Sequence, residues 1–384
     1  MTGFDVVLDE ARVVTPSGVL EQSWVGVSDG VIAAIGSGPC TEPAREIHHV
    51  SGAWLGPGFI DVHTHGSVGI DVMAADAEEL RALARFFVSK GVTSFLVGTT
   101  THDRTDTLRA LEVVKEAQGA VEGGANILGA YMEGPFLNPV RKGAHPEKLL
   151  RPIDRAEVGE YLASGVVRAV ALAPELADSE WLIRELTGRG ITAVAGHTDA
   201  TFAQMAWAQE AGVTAVTHAF NGMRGLHHRE PGAAGAALLI DELACEVIAD
   251  GVHLAPELLK LFWRMKGARR IALITDAGSF GGMPDGNYDN LERSLVVEGG
   301  VGRLPDGTIA SSAKTFDHNF VLFCEQTGAR FDEAWPAASE TAARIAGVAE
   351  RKGTIEVGKD ADFAVLATEG LVIASVVGGQ WIDA

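Results

Sequence analysis

Six side chains in the sequence are of the types that bind divalent cations or carry protons: His63, His65, Glu133, His197, His218 and Asp276. Each closes a short apolar run. His63 and His65 flank Thr64, and residues two apart on a strand point to one face, so both imidazoles can reach one ion. Taken singly, a His-x-His pair or a lone Glu, His or Asp in such a place reads as core packing, a helix cap or a solvated loop residue. Taken together, nitrogen and carboxylate donors with no thiolate among them suit Zn2+, Fe2+, Mn2+ or Co2+. Burying all of them without a metal or partners would cost several kcal/mol. A divalent ion also lowers the pKa of water towards about 7, which supplies a hydroxide nucleophile at neutral pH.

Convergence of these groups needs a scaffold, and the hydropathy pattern supplies one. Apolar runs of strand length occur at 58–62, 94–97, 127–132, 166–172, 191–195, 215–217, 244–248 and 271–275. Helix-like segments separate most of them, at 77–89, 105–118, 180–189 and 202–211. Eight buried strands alternating with helices predict a parallel (β/α)8 barrel of the TIM type, whose chemistry gathers at the C-terminal ends of its strands. The six residues fall at the ends of the first, third, fifth, sixth and eighth runs. An open doubly wound sheet is the alternative, weakened because no Gly-x-Gly-x-x-Gly follows the first strand. Residues 1–55 and 356–384 read instead as short strands and turns, and are expected to pair into one small β-sandwich domain flanking a barrel domain at 56–355.

Composition bounds the partners. The chain carries 31 basic against 51 acidic side chains, a formal charge of −20. Nucleic acid and anionic membranes need a basic face, so both are excluded, whereas a small anion needs only a local cation. Cys40, Cys245 and Cys324 are far apart and read as small apolar residues rather than a disulfide or thiolate framework. No leader-like stretch or membrane-length apolar run is visible, which points to a cytoplasmic protein.

Several motifs carry a resemblance that runs nearly the whole chain. They are Pro57-Gly58-Phe59-Ile60-Asp61-Val62-His63-Thr64-His65-Gly66, Glu133-Gly134-Pro135-Phe136-Leu137-Asn138-Pro139 and Lys142-Gly143-Ala144-His145. Further on stand Gly196-His197-Thr198-Asp199-Ala200, Thr217-His218-Ala219-Phe220-Asn221-Gly222-Met223, Arg229-Glu230-Pro231-Gly232, Asp250-Gly251-Val252-His253 and Thr275-Asp276-Ala277. In this order they resemble the N-acetylglucosamine-6-phosphate deacetylases of the amidohydrolase superfamily. The resemblance implies that Glu133, His197 and His218 hold the principal metal and that His63 and His65 serve a second ion, with Glu133 able to bridge. Zinc is the first expectation, with iron, manganese, cobalt or cadmium as substitutes, in one or two ions per chain. Asp276 matches the family's catalytic aspartate, which takes the proton of water and delivers it to the departing amine. By the same resemblance the substrate contacts are Ala144, His145, Asn221, Gly222, Arg229, Asp250, His253, Ile309, Ser311 and Ser312. Arg229 is the implied phosphate contact, a guanidinium fork suiting a pair of phosphate oxygens. A homodimer acting on a small amino-sugar phosphate is expected on this basis.

The chain also departs from the family. Gly222 stands where alanine is usual, Gly278-Ser279-Phe280-Gly281-Gly282 is not the usual loop, and Ser311-Ser312-Ala313-Lys314-Thr315 replaces a common Gly-Ser-x-Leu-Thr-Met pattern. These regions line the substrate side, so they bear on which sugar is bound rather than on the metal chemistry. Lys314 reads equally as a second cation for the ligand or as a solvent-facing lysine. The 168–174 segment has no lysine, which argues against subfamilies that bridge two metals through a carboxylated lysine there. A related acylated sugar phosphate or an N-acyl amino acid is the alternative substrate. An inert scaffold protein would be expected to have lost part of the six-residue set, which is complete here.

Overall fold

The computed structural model describes residues 3–290 and 293–384. The apolar runs form β1 (Phe59–Thr64), β2 (Val92–Thr99), β3 (Asn126–Glu133), β4 (Val167–Leu172), β5 (Thr192–Ala195), β6 (Val213–Val216), β7 (Ala244–Ile248) and β8 (Ile271–Ile274). They pair in parallel and in chain order from β1 to β8. At the mouth, Asp276 N donates to His63 O at 2.9 Å and His65 N donates to Ala277 O at 2.7 Å, joining the two end strands. The sheet therefore curls into a barrel rather than lying open.

Helices α1 (Ala77–Val88), α2 (Arg104–Ala117), α3 (Arg155–Ala163), α4 (Ser179–Gly188), α5 (Phe202–Ala211), α6 (Gly232–Leu239), α7 (Pro256–Lys266) and α8 (Phe316–Thr327) cover the outside. Helix α1 shows why they form where they do. Asp76 caps it in a capping box with Glu79, and Leu80, Leu83, Ala84 and Phe87 recur at helical spacing on the buried face. Inside the barrel, Ile60, Val62, Leu96, Val194, Ile248 and Ile274 pack together, and Ala342, Ala343 and Ile345 of the helix Glu340–Ile345 close the floor. This packed lumen leaves a cavity at the opposite, C-terminal end of the strands.

The chain ends meet as expected from their composition. Gln380–Asp383, Val372–Val377, Phe363–Leu366, Trp54–Pro57, Phe4–Thr15, Gly18–Ser28 and Val31–Ser37 run side by side in one sheet, with Ala44–His49 also paired to Phe4–Thr15. The junction is antiparallel, Phe363 opposite Pro57 and Leu366 opposite Trp54. Buried Trp335 donates Nε1 to Pro57 O at 2.8 Å, fastening this sheet to the barrel.

One element was not anticipated. Gly286–Asn290, Arg293–Glu298, Val301–Arg303 and Ile309–Ser312 form a four-stranded antiparallel sheet inserted between β8 and α8. Its strands are short, and two carry mostly glycine and polar residues, so neither alternation nor an apolar run marks them. Cys245 and Cys324 are buried as small apolar side chains, while Cys40 is partly covered.

Candidate active site

Three of the six side chains owe their direction to unusual backbone. Strands β5, β6 and β8 stop at Ala195, Val216 and Ile274. The chain then turns through positive φ at His197 (45°), His218 (23°) and Asp276 (48°). Such conformations cost about 1–3 kcal/mol each in non-glycine residues, so the surroundings have to impose them. Here Asn138 N donates to His197 O, Asn221 N to His218 O and Asp276 N to His63 O, each at 2.9 Å.

Glu133, the last residue of β3, is the hub. Its Oε1 lies 3.0 Å from His197 Nε2 and 2.8 Å from His218 Nε2. Its Oε2 lies 3.2 Å from His65 Nε2, 3.4 Å from His145 Nε2 and 3.6 Å from His63 Nε2. Asp276 Oδ1 sits 3.2 Å from His65 Nε2 and 3.8 Å from His63 Nε2. The six residues thus form two buried triads that share Glu133, one with His63 and His65 and one with His197 and His218, with Asp276 beside them.

The hydrogen bonds around the triads test whether they suit a cation. His65 Nδ1 faces Gly98 O and His197 Nδ1 faces Arg141 O, both at 2.7 Å. A carbonyl only accepts, so each Nδ1 carries the hydrogen and each neutral ring turns an Nε2 lone pair inward. Those inward nitrogens pair up at 3.1 Å, His63 with His65 and His197 with His218. Facing lone pairs repel unless they share a positive charge. His218 Nδ1 is buried without a hydrogen-bond partner. A proton or a metal ion can supply that charge, and the facing carboxylates draw it in. Burial opposes charging of His65, yet its bonds to Asp276 and Glu133 push its pKa up to about 10. His63 and His218 are raised against the same burial by the carboxylates they face, Glu133 first. Burial and the neighbouring His145 take His197 down to about 4, leaving it neutral. Burial would raise Glu133 and Asp276, but the facing histidines hold both below the ordinary carboxylate range. The donor set and its negative potential fit a divalent metal.

Above the triads opens a cavity of about 400 Å3. His65, Glu133, His197, His218 and Asp276 form its inner end, and Ala144, His145, Asn221, Gly222, His253, Ile309 and Ser311 line its walls. Three other residues expected at the substrate lie elsewhere. Asp250 stands outside the lining and holds His253, with Oδ2 2.7 Å from its Nδ1 and Oδ1 accepting two backbone amides. Burial would raise this carboxyl, but the bond to His253 takes it down to about 2. Ser312 is buried, its N donating to Asp276 O at 3.0 Å. Arg229 is exposed, bonds His228 Nε2 at 2.7 Å and does not line the cavity. Lys314 is also absent from the lining, so among the described residues no arginine or lysine faces the cavity of a single chain.

The sequence reading missed part of the wall and nearly all of the support. Thr100, Thr101 and His102 from the end of β2, and Leu295, Leu304 and Thr308 from the inserted sheet, also face the cavity. Asp61 lies under the site, taking Thr275 Oγ1 at 2.6 Å, and burial pushes its pKa up to about 6 against that bond. Glu246 lies under His63. Both could have been suspected as lone carboxylates in otherwise apolar strands. Two glycines are required by contact: a Cβ on Gly98 would stand 2.6 Å from Thr64 O, and one on Gly222 (φ +57°) 2.8 Å from His197 Nδ1.

Comparison with known proteins agrees with this architecture. The amidohydrolase family model matches residues 54–382. N-acetylglucosamine-6-phosphate deacetylase of Bacillus subtilis (strain 168) is 36% identical over 381 residues, covering 98% of this chain and 96% of that protein. N-acetylgalactosamine-6-phosphate deacetylase of Escherichia coli O157:H7 is 37% identical over 362 residues, 94% of each. Among solved structures, a mutant N-acetyl-D-glucosamine-6-phosphate deacetylase of Mycobacterium smegmatis, in complex with N-acetyl-D-glucosamine-6-phosphate, superposes with a TM-score of 0.91 at 32% identity over 100% of both chains. With a parallel barrel, two histidine–glutamate triads at its mouth and matches over nearly its full length, the chain belongs to the amidohydrolase family.

Proposed function

We propose that the chain hydrolyses the N-acetyl group of N-acetylglucosamine-6-phosphate, yielding glucosamine-6-phosphate and acetate. The observation that carries this reading is Asp276 beside two triads sharing Glu133, at the inner end of a cavity of about 400 Å3. That volume suits a phosphorylated monosaccharide. Glu133, His197 and His218 would hold one ion, and His63, His65 and Glu133 a second, with zinc the metal of choice for this donor set. When bound, the metal supplies an acidified water and polarises the acetyl carbonyl.

The chain's own residues divide the remaining tasks. Asp276, held below its ordinary pKa, is ionised at neutral pH and would accept the proton of the attacking water. It would then pass that proton to the amine nitrogen as the amide C–N bond breaks. His145 and His253 reach into the cavity from two separate loops and would orient the sugar, Asp250 fixing the ring of His253. The backbone at Asn221 and Gly222, with Ala144, Ile309 and Ser311, would complete the wall. Ser312 would support Asp276 from behind, and Arg229, off the cavity of its own chain, would meet the phosphate only across the expected dimer. The same reading takes the protein as a cytoplasmic homodimer, with residues 1–55 and 356–384 as the small domain and 56–355 as the hydrolase domain. No helix among the described residues is long and apolar enough to cross a membrane.

Acetate release from N-acetylglucosamine-6-phosphate by metal-loaded protein tests the activity, and absence of turnover removes it. The galacto epimer is the second reading, favoured by the 37% identity to the Escherichia coli N-acetylgalactosamine-6-phosphate deacetylase. Comparing kcat/KM on the two epimers separates them.

A further inference from the structure

A fully buried carboxylate under the site has no part in the chemistry described so far. Glu246 sits in the middle of β7, with none of its surface exposed. Its neighbours at even spacing, Ala244 and Ile248, point into the barrel lumen, and Glu246 shares that face. Oε2 gathers three groups: His63 Nδ1 at 3.0 Å, Thr217 Oγ1 at 2.8 Å and Tyr131 Oη at 3.3 Å. Oε1 has no hydrogen-bond partner. Among the described residues no lysine or arginine pairs with this carboxylate; its one ionic neighbour is His63.

A buried carboxylate costs several kcal/mol unless positive charge offsets it. Thr217 and Tyr131 supply dipoles only, so the offset has to arrive through the His63 ring. The geometry has a direct consequence for that ring. With a carboxylate at Nδ1, the hydrogen of neutral His63 resides on Nδ1, and Nε2 is left bare towards Glu133 and His65. The other triad is built differently. His197 rests its Nδ1 on a backbone carbonyl, and His218 Nδ1 has no partner, so neither is backed by a charge. The extra negative charge therefore sits under one triad and not under the other.

We propose that Glu246 is a positioning residue that makes the His63–His65–Glu133 triad a second metal site, by fixing the His63 tautomer and supplying the buried charge which an ion there neutralises. This rests on the metal reading given above, and extends it by assigning the difference between one ion and two to a residue that touches neither substrate nor metal. Carboxylates placed this way behind a ligating histidine typically change metal affinity by about 10–100-fold.

The test is metal titration of metal-free protein with Zn2+ or Co2+, read as ions per chain and as site-resolved affinity by calorimetry. Wild type is expected to take two ions. Glu246→Gln, which keeps shape and removes charge, should weaken one ion by about 10–100-fold and leave the other unchanged. His63→Ala should lose the same ion, and the double variant should be no worse than His63→Ala alone, an outcome a general packing defect would not produce. If Glu246→Gln does not fold, Glu246→Asp, with its carboxylate withdrawn from His63, should weaken the same ion. The proposal is overturned if wild type takes only one ion, if the variant binds both as wild type does, or if both ions weaken alike. Two ions in wild type with no acetate release would instead remove the deacetylase reading and leave Glu246 its role.

Discussion

The inner end of the cavity and its outer wall are built on opposite principles. At the inner end, Glu133 terminates β3, and His65, His197, His218 and Asp276 lie within two residues of a barrel strand. All are buried and locked by backbone hydrogen bonds. The outer wall comes from loops and from the inserted sheet, through Ala144, His145, Leu295, Leu304, Ile309 and Ser311. On the proposed function, rigid strands hold the groups whose relative positions decide reactivity, while the pieces that would meet the rest of the ligand are attached by connections free to vary. Of the departures, Gly222, Gly278 and Ser311 line the cavity, whereas Ser312 is buried with its N bonded to Asp276 O and Lys314 stands off the lining.

Substitutions can break or sharpen that contrast. Glu133→Ala removes the oxygen donors of both triads, so metal content should collapse and kcat fall by roughly 10^4-fold or more, measured by elemental analysis beside acetate release. Activity within tenfold of wild type would mean the triads are not the reactive end. Asp276→Asn should lower kcat by about 10^2- to 10^4-fold while bound metal is retained, because only proton transfer is lost. A parallel loss of metal would recast Asp276 as mainly a ligand.

At the outer end the effects should be smaller and fall on KM. Arg229→Ala is expected to raise KM about tenfold on the phosphorylated sugar, the worth of one charge-assisted bond, and to spare the unphosphorylated one. Because Arg229 is exposed and outside the cavity of one chain, equal KM values in variant and wild type would remove it from the site. Gly222→Ala probes the seam between the two regions. Its Cβ would stand 2.8 Å from His197 Nδ1 on a backbone at φ +57°, so a loss of about 1–2 kcal/mol in stability is expected by thermal or urea unfolding. Ser311→Ala, on the wall alone, should shift KM only a few-fold with kcat intact.

The residues themselves explain how much of this was legible. Strands such as Val92–Thr99 are buried on both faces and spell themselves as apolar runs, so all eight barrel strands could be placed within about two residues. Each reactive residue follows such a run, which made the six visible. The supporting roles of Glu246 and Asp61 were missed because a single carboxylate inside an apolar run marks a position without saying what it contacts. The inserted sheet escaped for a different reason: its small apolar cluster of Phe280, Leu295, Val297 and Ala313 draws on scattered positions, and segments such as Ile309–Ser312 are placed by antiparallel pairing with chain neighbours.

The sequence by itself determined the barrel, the order of its strands and the chemical identity of the reactive set, because burial on both faces and strand-end placement leave local traces. Tertiary structure alone decided that two triads share Glu133, that a buried carboxylate backs only one of them, and that Arg229 stands away from the cavity of its own chain. Those are relations between side chains tens to hundreds of residues apart. They depend on strand register and on backbone turns through positive φ, which local composition does not encode.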